Sequence, residues 1–391
     1  MSSDILVINS GSSSIKFGLY GGDDEELNNL GHGEIAGIGS TPKLQAFDRS
    51  NTQIVNEQLR KGSDHAQSMS ALLDWVLKSG AAGKLNAIGH RVLHGGSVYE
   101  APVLVTDEVL NQLDKLDPLG PLHQPHNLLG IRILAGLLPG VPQIACFDTA
   151  FHSTLPIVAK QFALPNSLYK QGVKRYGFHG ISYEYMSRCL PEIVGAEIAA
   201  GRVIVAHLGN GASMCAMTEG RSVATTMGFT ALDGLPMGTR CGDLDAGVIL
   251  YLLNEHHMNP KEISELLYNQ SGLLGISGVS SDMQELLASN ADGARQAIDY
   301  YVYRINRELG ALTAIMGGLD ALIFTAGVGE NSAPIRARVC GLAGWAGIKL
   351  DEQANNDDAL CISAADSSVP VWVVPTREEL MIAHHTQRLL G

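Results

Sequence analysis

Three short apolar segments of this chain each end in a turn that is rich in glycine. The most distinctive turn is FTAGVGEN at 324–331, where an apolar run bounded by glycines meets Gly327 and Gly329. A short run of this kind is typical of a buried strand rather than a helix. The two glycines remove side chains where a backbone must approach a ligand closely or take a positive φ. The other two turns lie upstream, at 9–16 and 207–213.

The two upstream turns share one plan. NSGSSSIK (9–16) and HLGNGAS (207–213) both connect an apolar strand to a second strand, which predicts a hairpin in each case. Hydroxyl groups and backbone amides at such a corner suit a phosphate group, although a plain polar hairpin is the alternative. The similarity is a weak internal duplication, which puts one phosphate-type turn in each half of the chain.

The size and charge of the chain narrow its class. A length of 391 residues favours two domains, and 45% hydrophobic residues allow sizeable cores. The net charge of −13 argues against a nucleic-acid partner. Six cysteines without a CxxC pair suit reduced thiols better than a disulfide scaffold or a zinc site. With neither a signal-like start nor a membrane-spanning apolar run, we expect a cytoplasmic protein without membrane contacts.

Alternating strand and helix patterns predict an α/β fold. We expect the strongest helix at about 291–316 and a strand at 371–374, whereas we interpret 271–281 as a loop. We expect the segment from 21 to about 60 to be polar and irregular, with further strands such as 53–56. Because the glycine turns are divided between the two halves, we expect a nucleotide held in a cleft between two related domains. Further helices are expected at 127–138, 182–190, 245–255, 260–268 and about 380–390.

Four charged or imidazole side chains stand out against this background. Arg91 lies in an apolar, strand-like run, where a guanidinium needs either a ligand or a structural salt bridge. Asp148 follows a predicted strand, at the position where α/β sheets bind ligands. His179 stands between glycines at a helix entry, and Arg240 lies in a long glycine-rich loop, 225–247, of the kind that is usually functional.

Ten stretches of the chain, in this order, resemble the acetate kinase family. They are VINSGSSSIKF, GHRVLHGG, PLHQPHN, CFDTAFH, YGFHG, HLGNGAS, MGFTALDGLPMGTRCGDLD, SGLLGISG, FTAGVGEN and PTREEL. The resemblance runs nearly end to end. It implies two ribonuclease-H-like domains of the actin and hexokinase type flanking a nucleotide cleft. The acetate- and Mg²⁺-side domain would comprise 1–149 and about 380–391, and the nucleotide-binding and dimerisation domain 150–379.

The resemblance also implies a reaction, the reversible Mg²⁺-dependent transfer of a phosphoryl group from ATP to acetate, giving acetyl phosphate and ADP. A kinase for propionate or another short-chain acid is the alternative within this class. A nucleotide switch of the actin type is the alternative outside it, and Arg91 argues against that because a switch needs no carboxylate anchor. The family pattern further implies a homodimer.

By this resemblance Arg91 binds acetate, since a guanidinium fork matches a carboxylate. His179 and Arg240 would stabilise the oxygens of the phosphoryl group in transfer. Asp148 matches the essential aspartate of the family. We interpret it as an orienter of acetate, Arg91 or hydrated Mg²⁺ rather than as a base, because a carboxylic acid of pKa ~4.5 is already ionised at neutral pH.

The resemblance assigns the remaining ligands as well. Asn9 and Glu378 would hold Mg²⁺, with Mn²⁺ as an alternative. The residues implied in binding ATP or ADP are Ser12, Ser14, Lys16, His207, Leu208, Gly209, Asn210, Gly211, Asp282, Met283, Gln284, Gly327, Val328, Gly329, Glu330 and Asn331.

Four departures from the usual family pattern stand out. The chain has Gln124-Pro125-His126 where Asn-Pro-Pro is usual, and Gln284 replaces an arginine in the nucleotide stretch. Arg377 stands where asparagine is common. Leu93 is bulkier than the usual valine and should narrow the acyl pocket if it lines that pocket. One methylene changes acyl preference by only ~1–3 kcal/mol.

Overall fold

In a computed structural model that describes residues 4–22, 27–78 and 85–390, the chain forms two compact units. The first comprises Met1–Phe151 with Arg377–Gly391, and the second comprises His152–Thr376. The domain boundary predicted from the sequence, at about residue 380, assigned Glu378 to the second domain. The structure groups Glu378 with the first unit instead, because the helix that begins there packs on the first sheet.

The elements alternate as the sequence predicts. The strands are β1 (Asp4–Ser10), β2 (Ser14–Gly22), β3 (Leu27–Ala36), β4 (Lys43–Asp48), β5 (Gln53–Gln58), β6 (Leu85–Val92), β7 (Val103–Leu104), β8 (Gln143–Phe147), β9 (Arg202–Leu208), β10 (Ala212–Thr218), β11 (Arg221–Thr225), β12 (Ala321–Thr325) and β13 (Val371–Val373). The helices are α1 (His65–Lys78), α2 (Asp107–Asp114), α3 (Gln124–Leu137), α4 (Ile157–Lys160), α5 (Asn166–Lys170), α6 (Gly180–Ile193), α7 (Ala196–Ala200), α8 (Ala246–Asn254), α9 (Pro260–Asn269), α10 (Gly272–Ser277), α11 (Met283–Ala288), α12 (Asp292–Met316), α13 (Ala326–Asn331), α14 (Ala333–Leu342), α15 (Glu352–Asn356) and α16 (Glu378–Leu390).

The sheet of the first unit has the described strand order β5-β4-β3-β2-β1-β6-β8-β7. Strands β1 to β5 form an antiparallel meander, and β6 and β8 run parallel to β1. The strand predicted near 53–56 is confirmed as β5, whereas the prediction that the rest of the segment to about 60 is irregular was wrong, since its described residues form β3 and β4. Antiparallel strands near a sheet edge expose one face, so their sequence is largely polar.

Helices cover both faces of this sheet. Met69 and Val76 of α1 and Leu134 of α3 join Ile88 of β6 in one buried apolar cluster. The next residue of β6, Gly89, points to the opposite face because side chains alternate along a strand. A Cβ built on Gly89 would lie 2.4 Å from Thr386 Oγ1, so α16 packs directly against the bare backbone there.

The sheet of the second unit has the order β11-β10-β9-β12-β13. Its β9, β10 and β11 are antiparallel, whereas β12 and β13 run parallel to β9. The order and directions match β3-β2-β1-β6-β8 of the first unit. This match supports the duplication inferred from the two hairpins, and the predicted α/β class with two related sheets is confirmed.

Helix α12 packs on this second sheet and was predicted almost to the residue. It ends at Gly317, which adopts a φ of 71°. The predicted helices at 182–190, 245–255 and 260–268 correspond to α6, α8 and α9. The predicted loop 271–281 instead contains α10, which is too short for its sequence period to show. Among the described residues, no helix is both long enough and apolar enough to cross a membrane.

Candidate active site

The first unit carries the hairpin turn between β1 and β2. Asn9 and Lys16 are direct register partners across the hairpin, so their side chains share one face. The Gly11 N–H donates to the Ser14 carbonyl oxygen at 2.8 Å, which closes the turn tightly. Ser12 is exposed at the corner of the turn. Hydroxyl and amide groups therefore face outward from the turn beside the Lys16 ammonium, as a phosphate site requires.

Arg91 and Asp148 form an ion pair at the ends of the neighbouring parallel strands β6 and β8. Arg91 Nε donates to Asp148 Oδ1 at 3.0 Å, and Arg91 Nη2 donates to Asp148 Oδ2 at 2.6 Å. The Asp148 side chain is 1% exposed and that of Arg91 is 23% exposed. The salt bridge considered as an alternative is therefore present. It occupies one edge of the guanidinium and leaves the Nη1 side of the group for another role.

Acidic side chains crowd around this pair. Burial raises the pKa of Glu378 to about 7, and Asp148 and Glu379 add to the rise, while Arg91 and Lys16 oppose it. Burial alone would lower the pKa of Arg91. The carboxylates of Asp148 and Glu378 outweigh this effect, so the pKa of Arg91 is raised. The first unit thus holds a fixed guanidinium among three carboxyl groups.

The residues expected to hold Mg²⁺ both lie in the first unit. In the described ranges there is no group of three or more His, Cys, Asp or Glu side chains arranged around a metal position. Mg²⁺ does not need such a cage, because it is usually bound through one or two carboxylates, retained waters and substrate phosphates. Burial raises the pKa of Glu378 most, and two further carboxyl groups add to the rise; a divalent cation would relieve this cost of a buried carboxylate charge. The amide of Asn9 and the carboxyl group of Glu378 are therefore a donor set that fits Mg²⁺.

In the second unit, Gly211 brings two predicted residues together. A Cβ built on Gly211 would lie 2.9 Å from Arg240 Nη2 and 3.3 Å from His179 Nε2. Both side chains therefore pack directly against the bare backbone of the β9–β10 turn. Arg240 is anchored from behind, since its Nη1 donates to the Ala231 carbonyl oxygen at 2.7 Å. A guanidinium and an imidazole thus converge at the second glycine turn.

The imidazole ring of His179 is held by stacking on a second histidine ring and by a hydrogen bond to a serine. His179 lies at the N-terminus of α6 with a φ of 56°, and its ring stacks on that of His207 at a centroid distance of 4.2 Å. His179 Nδ1 is hydrogen-bonded to Ser213 Oγ at 2.8 Å, and His207 Nδ1 to Ser182 Oγ at 2.9 Å. Each ring therefore uses Nδ1 for positioning, which directs Nε2 of His179 towards Gly211.

The same turn also contacts the other predicted nucleotide segments. Gly238 N–H donates to the Asn210 carbonyl oxygen at 3.1 Å, and a Cβ on Gly238 would lie 3.2 Å from the Ser281 carbonyl oxygen. A Cβ on Gly209 would lie 3.7 Å from Ala326 Cβ. The glycine turn 207–211 therefore adjoins the start of α13 directly, and the segment before α11 is reached through Gly238.

The end of β12 differs from the prediction. The sequence predicted a glycine turn in which Gly327 or Gly329 takes a positive φ, whereas the chain enters α13 at once and the positive φ, 65°, falls on Ala326. Gly329 is buried, and a Cβ there would lie 3.6 Å from the Ala206 carbonyl oxygen, an ordinary van der Waals distance, so neither a positive φ nor close packing requires glycine at this position. Gly327 faces open space, with no atom of the described chain within 4 Å of its Cβ position. Of the two glycines, only Gly327 still fits the prediction that a ligand approaches the backbone closely here.

Several predicted nucleotide residues already have structural roles. Glu330 Oε1 accepts hydrogen bonds from Ala326 N at 2.7 Å and Thr376 N at 3.1 Å. Asp282 Oδ1 caps α11 by accepting from Gln284 N at 2.8 Å. Those two carboxylates therefore shape the loops. The predicted nucleotide residues that have not yet been described differ in exposure. Leu208, Met283 and Gly329 are buried, Val328 is half-buried, and Gln284 and Asn331 are exposed.

Sequence reasoning missed the residues that support these groups. Ser213 is buried and joins His179 to Tyr183, and Ser182 joins His207 to Thr376 at 2.9 Å. Their partners are up to 194 positions away in the chain, so no local spacing could reveal them.

The chain was compared with known proteins. The model of the "Acetokinase family" matches residues 4–384. The chain belongs to this family. It is 53% identical to an acetate kinase of Rhodopseudomonas palustris, covering 100% of this chain and 99% of the relative. It is 50% identical to one of Methylocella silvestris, covering 100% of this chain and 98% of the relative.

Two solved structures share the fold over the full chain. One is a propionate kinase from Francisella tularensis, with a TM-score of 0.93, 36% identity and 99% of each chain covered. The other is an acetate kinase of Porphyromonas gingivalis, with a TM-score of 0.88, 38% identity and 100% of each chain covered. The recognition made from the ten sequence stretches is confirmed, and the chain is a kinase of this family.

Proposed function

We propose that this protein is an ATP:acetate phosphotransferase, which catalyses the reversible formation of acetyl phosphate and ADP. The observation that carries the proposal is Arg91, a half-buried guanidinium held by Asp148 at the end of a sheet strand. A kinase that phosphorylates a carboxylate needs a fixed cation for the acceptor. Because Nε and Nη2 of Arg91 bind Asp148, acetate takes the remaining edge, which carries Nη1.

Asp148 acts in this proposal by orienting Arg91. An ionised acetate needs no base, so a carboxylate at this place is most useful as a rigid partner for the guanidinium. The fork-to-fork geometry restricts rotation of the guanidinium plane about the Arg91 side chain. Acetate thereby meets a preorganised cation rather than a mobile one.

The phosphoryl group in transfer carries charge on three equatorial oxygens. His179 and Arg240, which meet at Gly211, supply the donors for these oxygens. Mg²⁺ held by Asn9 and Glu378 would neutralise phosphate charge when bound. Positioning and charge stabilisation account for most of the catalysis in such a transfer.

The nucleotide is bound by both hairpin turns and by the segments beside them. Ser12, Ser14 and Lys16 contact its phosphates in this proposal, as do the backbone amides of the turn 207–211. The starts of α11 and α13 hold the adenosine. Gly327 is the point of closest approach, since the space around its Cβ position is open.

A preference for propionate is the second candidate, because one solved relative is titled a propionate kinase. The side chain of Leu93 bears on it. Leu93 is 8% exposed, and its Cδ2 lies 2.5 Å from the Cβ position of Gly120. The extra bulk of leucine is therefore accommodated over a glycine, so the pocket is narrowed less than the sequence alone suggests.

The test is ATP-dependent acyl phosphate formation, trapped with hydroxylamine, with acetate, propionate and butyrate compared. We expect acetate to give the highest kcat/KM and Arg91→Ala to abolish most of it. A higher kcat/KM for propionate makes the second candidate correct. ATP hydrolysis without acyl phosphate from any acid refutes the proposal in favour of a nucleotide switch.

We further propose a cytoplasmic homodimer whose subunits pair through α8. Six of the nine residues of α8 are Val, Ile, Leu or Tyr, yet none is buried in the single chain. Leu250 and Tyr251 are 59% and 56% exposed, and Tyr303 of α12 is 61% exposed. An apolar face of this kind is typical of an interface between subunits. We expect light scattering to give twice the chain mass, and Leu250→Arg to give the single-chain mass. A monomeric wild type contradicts this.

A further inference from the structure

The first turn of α3 contacts both halves of the first unit's site. This turn, Gln124 to Asn127, includes the departure from the family pattern at His126, and none of the roles assigned above uses it. Gln124 is 0% exposed and Asn127 is 6% exposed, so both amides are buried and must be fully hydrogen-bonded.

Asn127 forms a bridge between the two strands that carry site residues. Its Oδ1 accepts from Leu93 N at 3.0 Å, two residues after Arg91. Its Nδ2 donates to the Ser10 carbonyl oxygen at 2.7 Å, one residue after Asn9. One amide therefore connects the end of β6 with the end of β1, just beyond the last residues that the two strands pair.

Gln124 and His126 strengthen the two ends of this bridge. Gln124 Oε1 accepts from His94 N at 3.0 Å, and its Nε2 donates to His94 O at 3.1 Å, so it pairs with the backbone that follows Leu93. The His126 ring stacks on that of His65 at 5.5 Å. Nε2 of His65 donates to the Gly11 carbonyl oxygen at 2.8 Å. Two consecutive carbonyl groups of the phosphate-type turn are thus held.

We propose that Asn127 is a positioning residue that fixes the phosphate-type turn at 9–16 relative to Arg91, which binds the carboxylate of the substrate. Gln124 holds the backbone on the Arg91 side. The inference rests on the proposed kinase function. Misplacing reacting groups by about 1 Å costs on the order of 10²-fold in rate. Asn127 is 6% exposed and both of its amide groups are bonded to backbone, so in this proposal it acts only through the backbone atoms that it holds.

The chain offers a matched control, Gln143. It is also a buried amide that joins α3 to the same sheet, accepting from His90 Nε2 at 2.6 Å and donating to the Ile131 carbonyl oxygen at 3.2 Å. Its two hydrogen bonds hold the His90 ring, which lies on the face of β6 opposite to Arg91, and the Ile131 carbonyl oxygen, rather than the main chain at Ser10 or Leu93. Loss of either amide should lower the Tm comparably, but only loss of Asn127 should disturb the site.

The experiment compares Asn127→Ala and Gln143→Ala by thermal unfolding and by the steady-state acyl phosphate assay, with both proteins folded. We expect similar Tm values, a 10- to 100-fold lower kcat/KM for acetate in Asn127→Ala, and a change of at most about threefold in Gln143→Ala. Equal activity losses in the two variants overturn the proposal, as does an Asn127→Ala enzyme with wild-type activity.

Two half-variants separate positioning from a general structural role. In Asn127→Asp the carboxylate still accepts from Leu93 N but cannot donate to Ser10 O. This variant should therefore raise the KM for ATP more than the KM for acetate. Gln124→Ala disturbs only His94 and should raise the KM for acetate alone. KM values that change in parallel in both variants contradict the proposal.

Measurements on the wild-type enzyme distinguish a failure of the proposed function from a failure of this inference. A wild type that makes no acyl phosphate refutes the kinase function itself. If another short-chain acid is the better substrate, the same variants are measured with that acid. An active wild type combined with equal losses in Asn127→Ala and Gln143→Ala refutes only the positioning role.

Discussion

Replacement of Asp148 by asparagine tests how the acid anchor works. Asparagine keeps one acceptor oxygen and nearly the same volume, so one of the two hydrogen bonds from Arg91 survives. The other carboxylate oxygen becomes an NH₂ group, which faces an N–H donor of the guanidinium. A hydrogen bond to a charged group is worth roughly 1.5–3 kcal/mol. Arg91 is 23% exposed, so water replaces part of that loss.

We therefore expect a cost near the lower limit, about 1.5–2 kcal/mol, or roughly 10- to 30-fold in kcat/KM for acetate. The loss should appear mainly in the KM for acetate, because the guanidinium still stands at the strand end but is less firmly oriented. The KM for ATP should stay within about threefold of the wild-type value, since the hydrogen bonds of Asp148 go to Arg91 and Asp148 is not among the residues proposed to bind the nucleotide.

A double-mutant cycle with Arg91→Ala decides whether Asp148 acts through Arg91. If it does, the double variant has the same kcat/KM as Arg91→Ala alone, within about twofold. Removing Arg91 leaves a buried carboxylate unpaired, which costs about 3–5 kcal/mol of stability, so the rates are measured well below the Tm of each variant. A double variant that is tenfold or more below Arg91→Ala refutes the reasoning, as does an Asp148→Asn enzyme with reduced kcat and an unchanged KM.

Three further predictions follow from the geometry. Gly211→Ala should lower kcat at least tenfold, because its Cβ would meet Arg240 and His179. Gly327→Ala should mainly raise the KM for ATP. Equal effects of the two variants on kcat and on this KM contradict the roles assigned to the two glycines. Gly120→Ala pushes Leu93 and should lower the propionate-to-acetate ratio of kcat/KM; an unchanged ratio excludes Leu93 from acyl selection. Burial lowers the pKa of His90 to about 4. As the pH falls below about 6.5, the unfolded chain therefore binds a proton at His90 that the folded protein does not bind. This should lower the free energy of unfolding by about 2 kcal/mol at pH 5. Urea unfolding should show a smaller loss in His90→Gln, and an identical pH dependence contradicts the assignment.

Much of the fold was predictable because its long elements have clear periods. Helix α12 carries its apolar residues at helical spacing, and the αL glycine at 317 marks its end. The strands β3 and β4 were missed for a physical reason: they expose a polar face, so no apolar run identifies them. The pairing of β3 with β2, and of β4 with β3, is fixed by main-chain hydrogen bonds that leave no mark on residue type.

The candidate site was predictable in its parts but not in its arrangement. The glycine turns, Arg91 and Asp148 stand out locally, since each places an unusual residue at a strand end. The contact of Arg240 with Gly211 depends on the path of a long loop. Likewise, the positive φ at Ala326 rather than at its glycine neighbours arises because β12 runs straight into a helix. Sequence pattern alone carries no such information.

The matching strand orders explain why the two units carry different chemistry at equivalent places. Strand β6 lies beside β1 as β12 lies beside β9, so the segments that end these parallel strands occupy the same position in each sheet. In the first unit that position carries Arg91, paired with the carboxylate of Asp148. In the second unit the corresponding strand ends at Thr325, and the chain reaches Gly327 two residues later, with no side chain and open space around it. A small acid needs a charged anchor, whereas a nucleotide needs close approach to bare backbone. In the proposed mechanism, the different residues at these two strand ends therefore give the units separate tasks, acid binding in the first and nucleotide binding in the second.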